Sequence, residues 1–396
     1  MKKTSLLIVF FYIFNFTHAQ ERPITVAVPF LLVAADARAA GMADNGVSSS
    51  PDAFSQQWNP SKYAFATDQQ GFSVSYTPYL TDLVNDISLA QLTYYNKYSD
   101  KSAFAASFRY FGLGDIELRQ DFDSPVQTVS PNEFALDLSY SLKLSEKFSM
   151  AVGGRFINSN LKVATDNNDA SSSSSFAVDV SGFYQSEEIA YSDFNGRWRA
   201  GFNFQNMGPK MSYDNDDINA NFLPSNMKLG GGFDFILDEY STIGVNLEFS
   251  KLMVPTPQVS YNGDNYQGSD MNGDGIVDKT DNDLAKNEYN SIGWFSGMFQ
   301  SFTDAPNGFS EELKEVTYSI GSEYIYQDAF SFRAGYFHES PDKGAREFFS
   351  LGAGFKYSTV KIDVSYLFST SKVQNPLENT LRFSLSFNFG EKYENY

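Results

Sequence analysis

In the stretch Thr380 to Phe389, TLRFSLSFNF, the residues Leu381, Phe383, Leu385, Phe387 and Phe389 alternate with Arg382, Ser384, Ser386 and Asn388. Successive side chains of an extended chain take opposite faces, so this is a strand with one apolar and one polar side. The same period of two recurs along the chain, with turn residues between the runs. It predicts fourteen strands, at 72–77, 87–96, 102–112, 133–144, 148–161, 175–186, 197–206, 227–237, 241–252, 315–326, 330–338, 347–357, 360–369 and 380–389. In the fourth, Phe134, Leu136, Leu138, Tyr140, Leu142 and Leu144 oppose Ala135, Asp137, Ser139, Ser141 and Lys143. Ionisable residues keep to the polar side: Arg155, Arg197, Arg199, Lys228, Asp234, Glu248, Glu323, Arg333, Lys361 and Asp363. A dry sandwich core would bury those charges at high cost, whereas a wet lumen accepts them.

The connections carry a second pattern. After even-numbered strands they are mostly tight, as at Ser145 to Lys147, Asp238 to Tyr240, Gln327 to Ala329 and Ser358-Thr359, with 187–196 longer than the rest. After odd-numbered strands they are long, at 113–132, 162–174, 207–226 and above all 253–314. Short periplasmic turns and long extracellular loops are the habit of outer-membrane barrels. The expected fold is therefore all-β: a 14-stranded antiparallel outer-membrane β-barrel over 71–390, an N-terminal plug segment over 20–70 and a periplasmic tail at 391–396. A periplasmic or surface β-domain is the competing reading, but it has no reason to keep the parity of loop lengths.

Export agrees with that placement. Lys2 and Lys3, the apolar run Leu6 to Phe14 and the small-residue site Thr17-His18-Ala19 read as a signal peptide over 1–19. The 38 Phe and 24 Tyr suit a lipid face and its aromatic girdles. With 29 Lys and Arg against 48 Asp and Glu, the net charge of −19 lacks the basic footprint of a nucleic-acid binder. There is no cysteine, hence no disulfide, thiolate or N-terminal lipid-anchor chemistry.

Residues 20–70 do not alternate; they are Ala-rich and punctuated by Gly, Pro and a WNPS turn at Trp58 to Ser61. Preceding the first strand, the segment is expected to start in the periplasm and to lie inside or beneath the barrel. The run VPFLLVAADARAAGMADNGVSSSPDAFSQQWNPSKYAF, Val28 to Phe65, resembles the N-terminal signature of the PorV family, outer-membrane barrels of the type IX secretion system within the FadL-like superfamily. The resemblance implies association with a large translocon barrel, receipt of the C-terminal signal domain of secreted cargo, and delivery to a surface attachment complex with a PorU-like sortase. A FadL-type passive transporter of hydrophobic small molecules is the alternative, because one barrel architecture hosts both functions.

Within 253–314, DMNGDGIVDKTD sets Asp270, Asn272, Asp274, the Ile276 carbonyl, Asp278 and Asp281 at positions 1, 3, 5, 7, 9 and 12 of a calcium loop, with Gly275 at the turn. Calcium, Ca2+, would stiffen a long connection; no helical pattern clearly frames the loop, and Asp281 replaces the longer Glu of an EF-hand. Downstream, SIGWFSGMFQSF offers Trp294, Phe295, Met298 and Phe299 as apolar anchors, either for the barrel rim and outer-membrane lipid or for a partner. Catalytic signatures are missing. Only His338 follows the leader, no G-x-S-x-G elbow or P-loop occurs, and the Ser171 to Ser175 run is low-complexity, so no enzyme activity is expected.

Overall fold

The computed structural model describes residues 24–81, 84, 86–119, 126–161, 172–213, 220–261, 265–371 and 375–393; the expected signal peptide and the last three residues lie outside them. The long strands are β1 (Asp68–Pro78), β2 (Ile87–Lys97), β3 (Ser102–Leu113), β4 (Asn132–Ser145), β5 (Phe148–Asn160), β6 (Ser173–Gln185) and β7 (Asn195–Met207). They continue as β8 (Asn226–Ile236), β9 (Ser241–Leu252), β10 (Val316–Tyr326), β11 (Phe330–His338), β12 (Glu347–Tyr357), β13 (Val360–Ser369) and β14 (Leu381–Lys392). Each pairs antiparallel with its sequence neighbours, and β14 returns to β1 with Phe387 opposite Phe72, so the fourteen close without an edge. Every expected strand is present. The long 186–194 connection adds a two-residue pairing of Ile189 and Ala190 onto β7.

The pattern that predicted the strands also orients the wall. Arg382 is 1% exposed while its neighbour Phe383 is 46% exposed, which puts the polar side in the lumen and the rings in lipid. Inside, Arg155 joins Asp137 to Asp179 (3.0 Å), Arg199 pairs with Asp234, and Arg333 lies 2.8 Å from Asp363. β1 and β14 extend past the alternating core at the short-turn end, where Tyr393 donates its amide to Thr67 O (2.7 Å).

Residues 24–67 bond to residues at both ends of the wall. At the long-loop end Ala27 donates to Phe222 O (2.8 Å), Phe30 stacks on Phe111, and Arg109 Nη1 donates to Leu31 O (3.2 Å). At the short-turn end Ala66 O accepts from Lys97 Nζ (2.9 Å). The described part of the segment therefore begins at the long-loop end and descends toward β1. It begins there because Phe30 and Leu31 find an apolar cluster with Leu89, Phe111 and Ile157.

Short turns α1 (Ala37–Ala40) and α2 (Ser55–Trp58) sit along this path. Asp36 caps α1 by accepting from Ala39 N (2.8 Å) and also takes Trp58 Nε1 (2.6 Å), which ties the two turns together. Wall side chains complete the backbone: Glu248 accepts from Gly46 N and Val47 N (both 2.9 Å), and Ser350 Oγ accepts from Ala43 N (2.8 Å). Such bonds matter, because buried backbone amides and carbonyls that are left unpaired are costly. Where the segment's backbone comes closest to the wall, inward glycines make room for it. A Cβ on Gly335 would come within 2.4 Å of the Met42 carbonyl carbon, and one on Gly201 within 2.3 Å of Val47 O.

Candidate functional site

The connection between β9 and β10 builds a small cap at the long-loop end. It contains a hairpin, Val259–Tyr261 against Tyr266–Gly268, then α3 (Lys279–Ser291), α4 (Trp294–Gln300) and α5 (Phe309–Lys314). The absence of framing helices expected from the sequence is thus corrected: α3 follows the acidic loop directly. Asp278 is its N-cap, accepting from Thr280 N (2.6 Å), and Asp281 returns a bond from Asp278 N (2.9 Å), which makes a capping box. Two residues at calcium-loop positions therefore also start a helix.

Asp270, Asn272, Asp274 and Asp281 each accept backbone amides of one turn. Asp270 accepts from Gly273 N (2.7 Å) and Gly275 N (2.8 Å), Asn272 Oδ1 from Asp274 N (2.8 Å), and Asp274 from Ile276 N (2.9 Å). Gly275 stands at φ 87°, where a side chain would be strained. Asp281 Oδ1 accepts from Met271 N (2.7 Å) and Asn272 N (3.0 Å). The amide of Asp278 first, then those of Asn272 and Met271, hold the Asp281 carboxyl below its ordinary range. Among the described residues no three acidic or histidine side chains converge as a ready metal cluster.

An ionic cluster fastens the cap to the rim. Lys251 of β9 lies 3.1 Å from Glu312 and 2.5 Å from Glu315; Lys343, in the β11 to β12 connection, lies 2.7 Å from Glu311 and 2.9 Å from Glu315. Thr256 Oγ1 adds a bond to Glu315 (2.7 Å). Asp304 accepts from Thr256 N beside them; burial pushes its carboxyl up to about 6, against the Thr256 amide and with help from the Glu312 and Glu315 charges. Sequence reasoning missed this cluster, because α5 lies in what reads as a loop. The one available signal was Phe309 and Leu313, four apart after Gly308, with Glu311 and Glu312 on the other side.

The four proposed anchors divide. Met298 turns inward and is 6% exposed, packed in the cap, and Trp294 is half-buried. Phe295 and Phe299, one helical turn apart, are 59% and 65% exposed with ring centroids 5.3 Å apart. On α5, Phe309 is 76% exposed and Leu313 more than half, two apolar positions that the sequence reading missed. Phe295, Phe299, Phe309 and Leu313 thus leave apolar surface of the cap open to solvent.

Residues 16–259 match the protein family described as Type IX secretion system protein PorV. The chain belongs to the PorV family. No curated protein matches it. Among solved structures, the toluene transporter TbuX of Ralstonia pickettii is 12% identical, with 91% of this chain and 100% of that chain aligned at a TM-score of 0.48. The toluene transporter TodX of Pseudomonas putida is 12% identical over 90% and 99% of the two chains, at 0.49. These likenesses carry neither substrate nor mechanism to the family member described above. Family and closed barrel together place the chain in the outer membrane.

Proposed function

We propose that this chain serves type IX secretion as a non-enzymatic outer-membrane subunit, exported by the signal peptide at 1–19. Its cap docks on the large translocon barrel, and it receives the C-terminal signal domains of cargo for delivery to an attachment complex with a PorU-like sortase. The family match over 16–259 carries the secretion role, and the exposed Phe295 and Phe299 pair supports docking through the cap. Residues 24–67 act as a plug in this reading: their contacts with both ends of the wall favour a closed lumen over passive uptake of small molecules. The test compares the surface and culture-medium proteomes of a deletion strain and its parent. Joint loss of large proteins sharing a C-terminal signal domain is expected, and an unchanged external proteome rejects the secretion role.

The turn at Asp270 to Asp281 is proposed to take Ca2+ through Asp270, Asn272, Asp274, the Ile276 carbonyl, Asp278 and Asp281. Supporting it are the turn-forming amide bonds and the second lone pair that the accepting oxygens of Asp270, Asn272 and Asp278 keep. The ion would organise the loop and, through Asp278 and Asp281, the start of α3. In purified full-length protein, Ca2+ at ten times its Kd should slow amide exchange across 270–291 about tenfold relative to chelator. Asp270→Asn should remove that effect, and equal exchange in chelator and Ca2+ rejects the ion.

A further inference from the structure

The lipid-facing wall is not uniform. Across β6 to β9 it is indented by a groove of about 580 Å³, within the range of about 300–1,000 Å³ typical of small-molecule sites. The cause is in the sequence. Outward positions that elsewhere carry Phe, Leu or Val are here Gly182, Ala200 and Gly231, and Ala200 stands opposite Gly231 across the β7–β8 pair. A Cβ built on Gly231 meets no atom within 4 Å. Larger residues form the sides: Tyr184 and Phe202 on one flank, Leu247 and Phe249 on the other. Phe202 lies over Gly182, where a Cβ would come within 2.3 Å of its ring.

Position identifies the occupant. Two residues nearer the periplasmic turns along the same strands, Trp198 and Phe233 pack edge to face at 4.6 Å, and Phe233 meets Phe235 at 4.7 Å. Such a ring cluster marks the interface where the hydrocarbon layer begins. The groove starts just inside it, at Phe148 and Tyr184, and runs toward mid-barrel, continuous with the lipid-exposed belt. No charged side chain lines it. A flexible hydrocarbon chain satisfies that lining without any hydrogen bond, and a peptide backbone does not.

We propose that this groove is a binding site for an acyl chain of a phospholipid in the periplasmic leaflet. On the other side of the same floor, Val47 of the inner segment presses on Gly201 and Gly230, where a Cβ would come within 2.3 Å of its carbonyl oxygen and 2.4 Å of its Cγ1. Lipid and inner segment are thus separated here by one layer of backbone.

The experiment uses the full chain in nanodiscs of phosphatidylethanolamine, a fraction of it carrying a diazirine at mid-acyl chain, with labelled residues located by mass spectrometry. Tyr184, Phe202 and Phe249 should label about fivefold above Phe332 and Phe355 on another part of the belt, the preference that one or two buried methylenes supply. Gly231→Trp should fill the groove and abolish the excess. Gly154→Trp is the control: Gly154 also faces outward with nothing within 4 Å of a Cβ, but lies outside the groove. Heat-modifiable migration shows that both variants are folded. Even labelling around the belt, retention of the excess in Gly231→Trp, or equal loss in both variants overturns the proposal.

Discussion

Arg38→Ala is expected to unseat the inner segment from a barrel that stays folded. Arg38 is buried in α1 and binds across the lumen to Glu323 of β10 through two nitrogens (2.7 and 3.1 Å), to Asp52 (2.7 Å) and to Ser50 O (3.0 Å). Glu323 in turn meets Arg333 (2.7 Å), which lies beside Asp363, so negative and positive groups alternate from Asp52 to Asp363. Removing the second member leaves Asp52 without its guanidinium and Glu323 with one cation instead of two. Breaking a buried pair from one side costs about 3–5 kcal/mol, because the remaining charge is stranded. That lowers the docked-to-undocked ratio of the segment by about a hundredfold or more. The wall keeps its full hydrogen-bond ladder, so heat-modifiable migration should be unchanged. Planar-bilayer recordings should show frequent openings absent from the wild type, and limited proteolysis should cut within 44–53. Arg38→Lys keeps the charge but loses the fork and should fall between the two. A silent, protease-resistant Arg38→Ala barrel would mean that the segment is held by packing and amide bonds alone.

That contact also shows which parts of the molecule the sequence could disclose. Strands were legible because the two solvents of a barrel wall oppose each other at every position: Phe383 meets lipid, Arg382 meets the lumen, and one residue of slip would exchange them. The inner segment has no such constraint. Its amides are met by side chains far away in sequence, as when Ser384 Oγ accepts from Ala37 N, so neither its path nor its direction leaves a period to read. The cap was hidden for a different reason. A capping signal is usually sought as Ser or Thr followed by Glu or Gln; here Asp278 and Asp281 carry it and fit a calcium loop equally well. In α4 and α5 the helices span only two turns, and nothing local distinguishes the inward Met298 from the outward Phe299.

The exposed rings carry the second large effect. Phe295→Ala with Phe299→Ala should weaken association with the translocon barrel by two orders of magnitude or more, while the chain still folds and inserts. A Phe side chain brings about 150–250 Å² to an interface, and a buried aromatic anchor costs about 2 kcal/mol or more when truncated. Two adjacent rings act on the same pocket, so their losses do not simply add, and about 3 kcal/mol for the pair corresponds to a hundredfold or more in Kd. Folding should be spared because both rings are already exposed in the free chain, and the cap is fastened by the Lys251 and Lys343 ion pairs with Glu311 and Glu315, in which neither ring takes part. Met298→Ala makes the necessary contrast. It removes a buried side chain of the same helix, so it should loosen the cap and raise amide exchange across α4 while leaving two exposed rings to bind. Co-purification with the translocon, measured beside the amount of cargo at the cell surface, separates the outcomes. Loss in the double variant and retention in Met298→Ala assign docking to the outer face of α4. Undiminished co-purification of the double variant moves the contact elsewhere, with the Phe309 and Leu313 face of α5 the next pair to truncate.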